Sequence, residues 1–152
     1  MKTWVKVTIV TLLVAVPAFL LAPNGPLGVF WDPHPDTPNP TGVQVPLYIL
    51  LGLINAVVLG LGISFLLFGY PLVRAVGGAS RPLARAAHLA IGWVLVSWWL
   101  HDSLHMVIGM EPGGLLGIEY GFHVTLMVAG IVLAAFFIEA LQGQGVEAEA
   151  AG

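Results

Sequence analysis

Residues 98–123 read WWLHDSLHMVIGMEPGGLLGIEYGFH. Two apolar runs meet here at a turn, Glu111-Pro112-Gly113-Gly114. His101, Asp102 and His105 stand near the end of the first run, Glu119 and His123 near the start of the second. Ionisable side chains inside long apolar runs are costly in lipid and are functional candidates by default. The fold follows from whether these runs cross a bilayer, and composition decides that first.

The chain has 152 residues, one domain by length. Hydrophobic residues make up 58% and charged residues 9%, against roughly 25% charged in a soluble domain. Mean hydropathy is +0.93. So few charges cannot clothe a water-facing surface, so lipid is the expected solvent. The net charge of −3 and the lack of a basic cluster argue against nucleic acid as a partner. The absence of cysteine excludes disulfides, zinc–thiolate sites and iron–sulfur clusters. His, Asp, Glu and Met remain as metal ligands.

Four apolar runs lie at approximately 4–21, 46–68, 86–110 and 116–141. Each fits the roughly 20 residues that span a bilayer. The expected fold is an all-α integral membrane protein, a single domain over 1–152 with four transmembrane helices in an antiparallel bundle. A cleaved signal peptide competes for residues 4–21. The retained helix is the reading taken, because Leu20 and Pro23 flank Ala22 unfavourably for cleavage.

Residues 22–45 hold six prolines, which forbid a membrane helix there. They form an aqueous loop of turns and extended pieces. Residues 70–85 form a second polar break. All five basic residues, Lys2, Lys6, Arg74, Arg81 and Arg85, fall on one side of a four-span chain. Positive charge marks the cytoplasmic side. Both termini are then expected inside, with the Pro-rich loop and the Glu111 turn extracytoplasmic, in a multi-pass protein of the cell membrane.

In the second run Gly52, Ala56, Gly60 and Ser64 recur every fourth residue. This small-residue stripe is a surface on which another helix can approach closely. Asn55 is expected to make an interhelical hydrogen bond.

The polar cluster is read by folding the last two runs about the turn. His101 and His123 are each eleven residues from Pro112; His105 and Glu119 are each seven from it. In an antiparallel hairpin, equidistant residues share a depth. The two i,i+4 pairs, His101/His105 and Glu119/His123, then form a two-by-two array across one seam. Three imidazoles and a carboxylate are the ligands a divalent transition metal takes. The expectation is a copper, zinc or iron site made by His101, His105, Glu119 and His123, with Asp102 orienting His105 or serving as an additional ligand.

Haem b, held by His101 and His123, is the alternative cofactor. Trp98 is expected to wall the site, with His34 and Asp32 from the loop as its cover. Met106 and Met110 are possible soft copper ligands, with packing the commoner use of Met. The single His101-x-x-x-His105 pair resembles one element of membrane di-iron hydroxylases. Those carry more histidines, on the cytoplasmic side, and the likeness assigns no family.

Three functions fit this reading. One is a metal-binding subunit or small redox or hydrolytic enzyme. Another is a non-catalytic subunit of a larger membrane complex or homo-oligomer, its cluster a structural hydrogen-bond network. The third is a proton or ion carrier, although the polar line thins inward to His88, Asn55, Ser64 and Glu139.

Overall fold

The computed structural model describes residues 1–37 and 40–150, the side chains of 144–150 excepted. The described residues are helical, without strands. The helices are α1 (Thr3–Leu21), α2 (Gln44–Phe68), α3 (Tyr70–Ala75), α4 (Arg81–Ile108), α5 (Pro112–Ile118) and α6 (Thr125–Ala150). One π-helical turn, Glu119–Val124, joins α5 to α6. A short 3-10 turn, Gly28–Trp31, lies in the Pro-rich loop. Four helices are long and apolar enough to cross a membrane: α1, α2, α4 and the continuous stretch Pro112–Gly143.

The helix limits have local causes. Ser80 precedes α4, and Pro82 sits in its first turn, where a missing N–H costs nothing. The third helix therefore begins at Arg81, five residues before the apolar run. The second polar break is not all loop: Pro71 opens the short α3. The Glu111 carboxylate accepts hydrogen bonds from the Gly113 and Gly114 amides at 3.0 and 2.5 Å, capping α5. These bonds hold the Glu111 carboxyl below its ordinary value. The helical path continues past Gly143 to Ala150; the side chains of Glu147 and Glu149 lie outside the described residues.

The helices pack as an antiparallel row, α1 on α2, α2 on α4 and α4 on α6. The expected antiparallel bundle takes the form of an open row. In water four apolar helices must enclose a common core. In lipid the outward side chains are already solvated, and nothing forces the row to close. Burial is accordingly low, between 11% and 28% of each apolar window.

The α1–α2 seam is built on the small-residue stripe. A Cβ at Gly60 would stand 2.5 Å from the Thr11 carbonyl oxygen. Thr11 and Ser64 share a hydroxyl hydrogen bond of 3.0 Å, and the Ser64 hydroxyl lies 3.2 Å from the Val7 carbonyl. Ala56 is fully buried beside Ala15 and Ala18.

The Pro-rich loop ties down two helix ends whose last carbonyls lack partners within the helix. At the end of α1, the Leu20 carbonyl accepts from the Leu27 amide and that of Leu21 from Trp31 Nε1, while Trp99 Nε1 of α4 donates to the Ala18 carbonyl. At the end of α4, the Met106 carbonyl accepts from the His34 amide at 3.2 Å and the Thr37 hydroxyl at 2.9 Å. This places residues 34–37 beside the polar cluster. The opposite end carries Lys2, Lys6, Arg74, Arg81 and Arg85, with the α3–α4 turn fastened to α6 by a 2.9 Å bond from the Ser80 amide to Glu139.

Candidate functional site: a histidine pair on the α4–α6 seam

His101 comes from the last third of α4, and His123 from the π-helical turn. Their Nε2 atoms are 3.1 Å apart. Each ring's other nitrogen faces a carboxylate: His101 Nδ1 is 3.1 Å from Asp102 Oδ1, and His123 Nδ1 is 2.8 Å from Glu119 Oε2. The second Asp102 oxygen accepts from Asn55 Nδ2 at 2.5 Å. One line of hydrogen bonds therefore runs Asn55–Asp102–His101–His123–Glu119, from α2 across α4 to the π turn.

The π turn gives this seam its local shape. A widened turn displaces carbonyls from their helical partners, and such turns recur at functional sites. Thr125 repairs the displacement: its hydroxyl lies 2.7 Å from the Gly121 carbonyl and 3.1 Å from that of Phe122. Trp93 Nε1 donates to the same hydroxyl oxygen at 2.9 Å, and the Trp93 ring stacks on Phe122. The turn is thus clamped to α4 eight residues below His101, and His123 is held in register with its partner. No residue pattern announces a π turn, so sequence reading missed it. Trp93 and Thr125 were its only signal.

The hydrogen count of the line is informative. Its three junctions, Asp102–His101, His101–His123 and His123–Glu119, each need one hydrogen. Two neutral imidazoles carry one hydrogen apiece. If both carboxylates are ionised and both imidazoles donate to them, the two Nε2 atoms meet as bare lone pairs. One cation between them completes the centre, either a third hydrogen or a metal.

His101 and His123 meet, as their equal distance from the turn requires. His105 and Glu119 do not: Glu119 turns to His123 on its own turn, and His105 stands edge-on to His101, ring centroids 4.5 Å apart. Asp102 orients His101, its neighbour in sequence, and not His105. Among the described residues no group of three or more His, Asp or Glu side chains is arranged to hold a metal ion. Trp98 stands edge-on to His101, 6.4 Å between ring centroids, and lines with His101, His123 and Leu126 a pocket of about 50 Å³.

The site is not enclosed. Side-chain exposure rises along the line from 17% at His101 through 44% at His123 to 61% at Glu119, because α6 is the last helix of the row. One turn further along α4, His105 is, with Tyr48 and Met106, a shared wall of two cavities of about 240 Å³ each. One reaches Asn55 and Asp102; the other opens under Asp36 and Thr37 of the loop. The His34 ring lies against Gly109 at the end of α4, and Asp32 ends the 3-10 turn without bonding to the cluster. Compared with known protein families, curated proteins and solved structures, the chain matches none.

Proposed function

We propose that this chain is a multi-pass membrane protein that binds a divalent transition metal, copper, zinc or iron, at the His101–His123 pair. The observation that carries the reading is the convergence of two carboxylate-oriented imidazoles on one point. Metal-binding histidines typically donate their second N–H to a carboxylate, which fixes ring and tautomer. Here both rings have that partner, and both free nitrogens point at the same place. Charge supports the assignment. Two carboxylates with one shared proton leave one net negative charge, whereas a divalent ion neutralises them, and uncompensated charge is costly in a low-dielectric seam.

Glu119, expected as a ligand, acts in this reading as the partner that orients His123, and Asp102 does the same for His101. Water or substrate would complete the coordination, and a metal with an open position can activate either. Haem b does not suit the pair as it stands, because nitrogens 3.1 Å apart leave no room for a macrocycle. The basic end faces the cytoplasm and the cluster faces the outside.

Elemental analysis of detergent-purified protein tests the assignment. One divalent metal per chain is expected, lost in His101→Gln and His123→Gln. Protein that stays metal-free after incubation with Cu, Zn and Fe overturns it. The chain has no cysteine, so a single cysteine at Thr41, labelled from outside intact cells, tests the orientation; labelling only after lysis would reverse it.

A second reading is supported by the completeness of the hydrogen-bond line once one extra proton is present, and by the lack of a ready three-ligand group. The cluster is then a structural or proton-holding network in a subunit of a larger complex or a homo-oligomer. Metal-free protein destabilised by His123→Leu would select it.

A further inference from the structure

The end of α4 carries a second arrangement that the histidine pair does not use. His105, Met106, Gly109 and Met110 line one open cavity of about 240 Å³, together with Tyr48, Asp36 and Thr37. Met106 and Met110 are four apart in sequence, as are His105 and Gly109. The α4 helix ends at Ile108, and Gly109 takes a left-handed φ of +62°. That turn carries the chain on to Met110, which lines the same cavity as Met106 and His105.

Methionine is ordinarily packing, but Met110 is 69% exposed and fills no core. Nor is its surrounding simply lipid-facing, since Asp36, Thr37 and Tyr48 make a polar rim. The rim is fixed: the His34 amide and the Thr37 hydroxyl both bond the Met106 carbonyl. The His105 ring nitrogens have no hydrogen-bond partner among the described residues. No Lys or Arg lines the cavity, all five being at the other end of the molecule. A soft, electron-rich pocket without Lys or Arg remains, lined by two methionines and a histidine beside the Asp36 carboxylate, which lies 3.4 Å from His34 Nδ1.

We propose that this cavity is a second metal site, selective for a soft monovalent ion of the copper(I) class, with Met106, Met110 and His105 as ligands and Asp36 supplying negative charge at the mouth. Thioether ligands select copper(I) over the harder divalent ions, and imidazole accepts it. The site adjoins the histidine pair through His105, whose ring stands edge-on to His101 with centroids 4.5 Å apart, but its ligands are its own: the nitrogen–carboxylate surroundings of the pair favour a divalent ion, and neither assignment requires the other.

The test uses full-length protein in detergent. Silver(I), which mimics copper(I) without redox chemistry, and zinc(II) are titrated separately, each against a competing chelator. The variants are Met110→Leu, Met106→Leu/Met110→Leu and His101→Gln/His123→Gln. Leu for Met conserves volume and is well tolerated in packed sites, and Met110 is exposed enough for the single change to leave the fold intact. The native protein is expected to bind one silver(I) equivalent that weakens at least tenfold in Met110→Leu and is lost in the double variant. Its zinc(II) titration is expected to be unchanged by either. Silver(I) binding that is absent from the native protein, or equal in native and Met110→Leu protein, overturns the soft site. Silver(I) binding retained in protein that takes up no divalent copper, zinc or iron overturns the histidine-pair assignment alone.

Discussion

The α1–α2 and α4–α6 seams both join antiparallel helices, and they do so by opposite means. The first is backbone against backbone. Gly60 lets the Thr11 carbonyl approach to where a Cβ would be, and Ala56 and Ser64 keep the stripe low. The second is side chain against side chain. His101 meets His123, Trp93 reaches Thr125, and the π turn opens the helix to admit these contacts. In lipid there is no hydrophobic force between helices, so a seam depends on close packing or on polar groups that find no better partner. This molecule uses one device at each end of its row. The difference teaches where change is tolerated: the first seam has no spare volume, and the second has no spare hydrogen bond.

Gly60→Val should have the largest effect. Its side chain collides with backbone, which cannot rotate away, and overpacking of this kind costs about 3 kcal/mol. The expected result is loss of cooperative unfolding in a denaturing-detergent titration; native-like unfolding would show that α1 is loosely held and break the contrast between the seams. His123→Leu in metal-free protein should cost about 1–2 kcal/mol, the range of interhelical polar contacts. A double-mutant cycle with His101→Leu should show that most of this loss is shared. Additive losses would mean the rings touch without bonding.

Thr125→Val should cost about 1 kcal/mol, the value of one intramolecular hydrogen bond. The same variant should quench or shift Trp93 fluorescence, as the indole N–H loses its acceptor; an unchanged spectrum would detach the π turn from α4. The smallest effect concerns the Glu111 cap between the two helices of the second seam. Its carboxyl is held below the ordinary value of 4.5 by the Gly113 and Gly114 amides. The cap's contribution is therefore complete above that value and disappears as pH falls through the lowered one. Unfolding midpoints of Glu111→Gln and native protein should converge towards low pH and separate above it; a constant gap would remove the carboxylate from the cap.

Much of this was legible from residue order. Apolar runs with single charges at their ends identify membrane-length helices, because lipid accepts little else. Pro112 after Glu111 sets a tight turn, and equal spacing from that turn brings His101 to His123. The four-residue period of Gly52, Ala56, Gly60 and Ser64 marks one face. A lone Asn55 in an apolar helix needs a polar partner, and Asp102 is that partner. Each inference rests on local geometry, a pitch or a missing donor, which sequence specifies directly.

Other features depend on contacts between segments distant in sequence. The row stays open because lipid and not a shared core solvates the outer faces. The π turn is held because the Thr125 hydroxyl, itself fixed by the Trp93 indole, lies against carbonyls that an α-helix would have used itself. Glu119 prefers His123 to His105 because the turn brings its carboxylate to Nδ1 of its own segment, leaving His105 packed edge-on against His101. The Pro-rich loop, which sequence defines only as non-helical, becomes the cap of α1 and α4 by supplying donors to carbonyls at both helix ends. Sequence by itself determined which residues are dear to bury and at what depth they lie. Only tertiary structure decided which of them share a hydrogen, because that choice turns on an ångström or two of helix rotation that no spacing encodes.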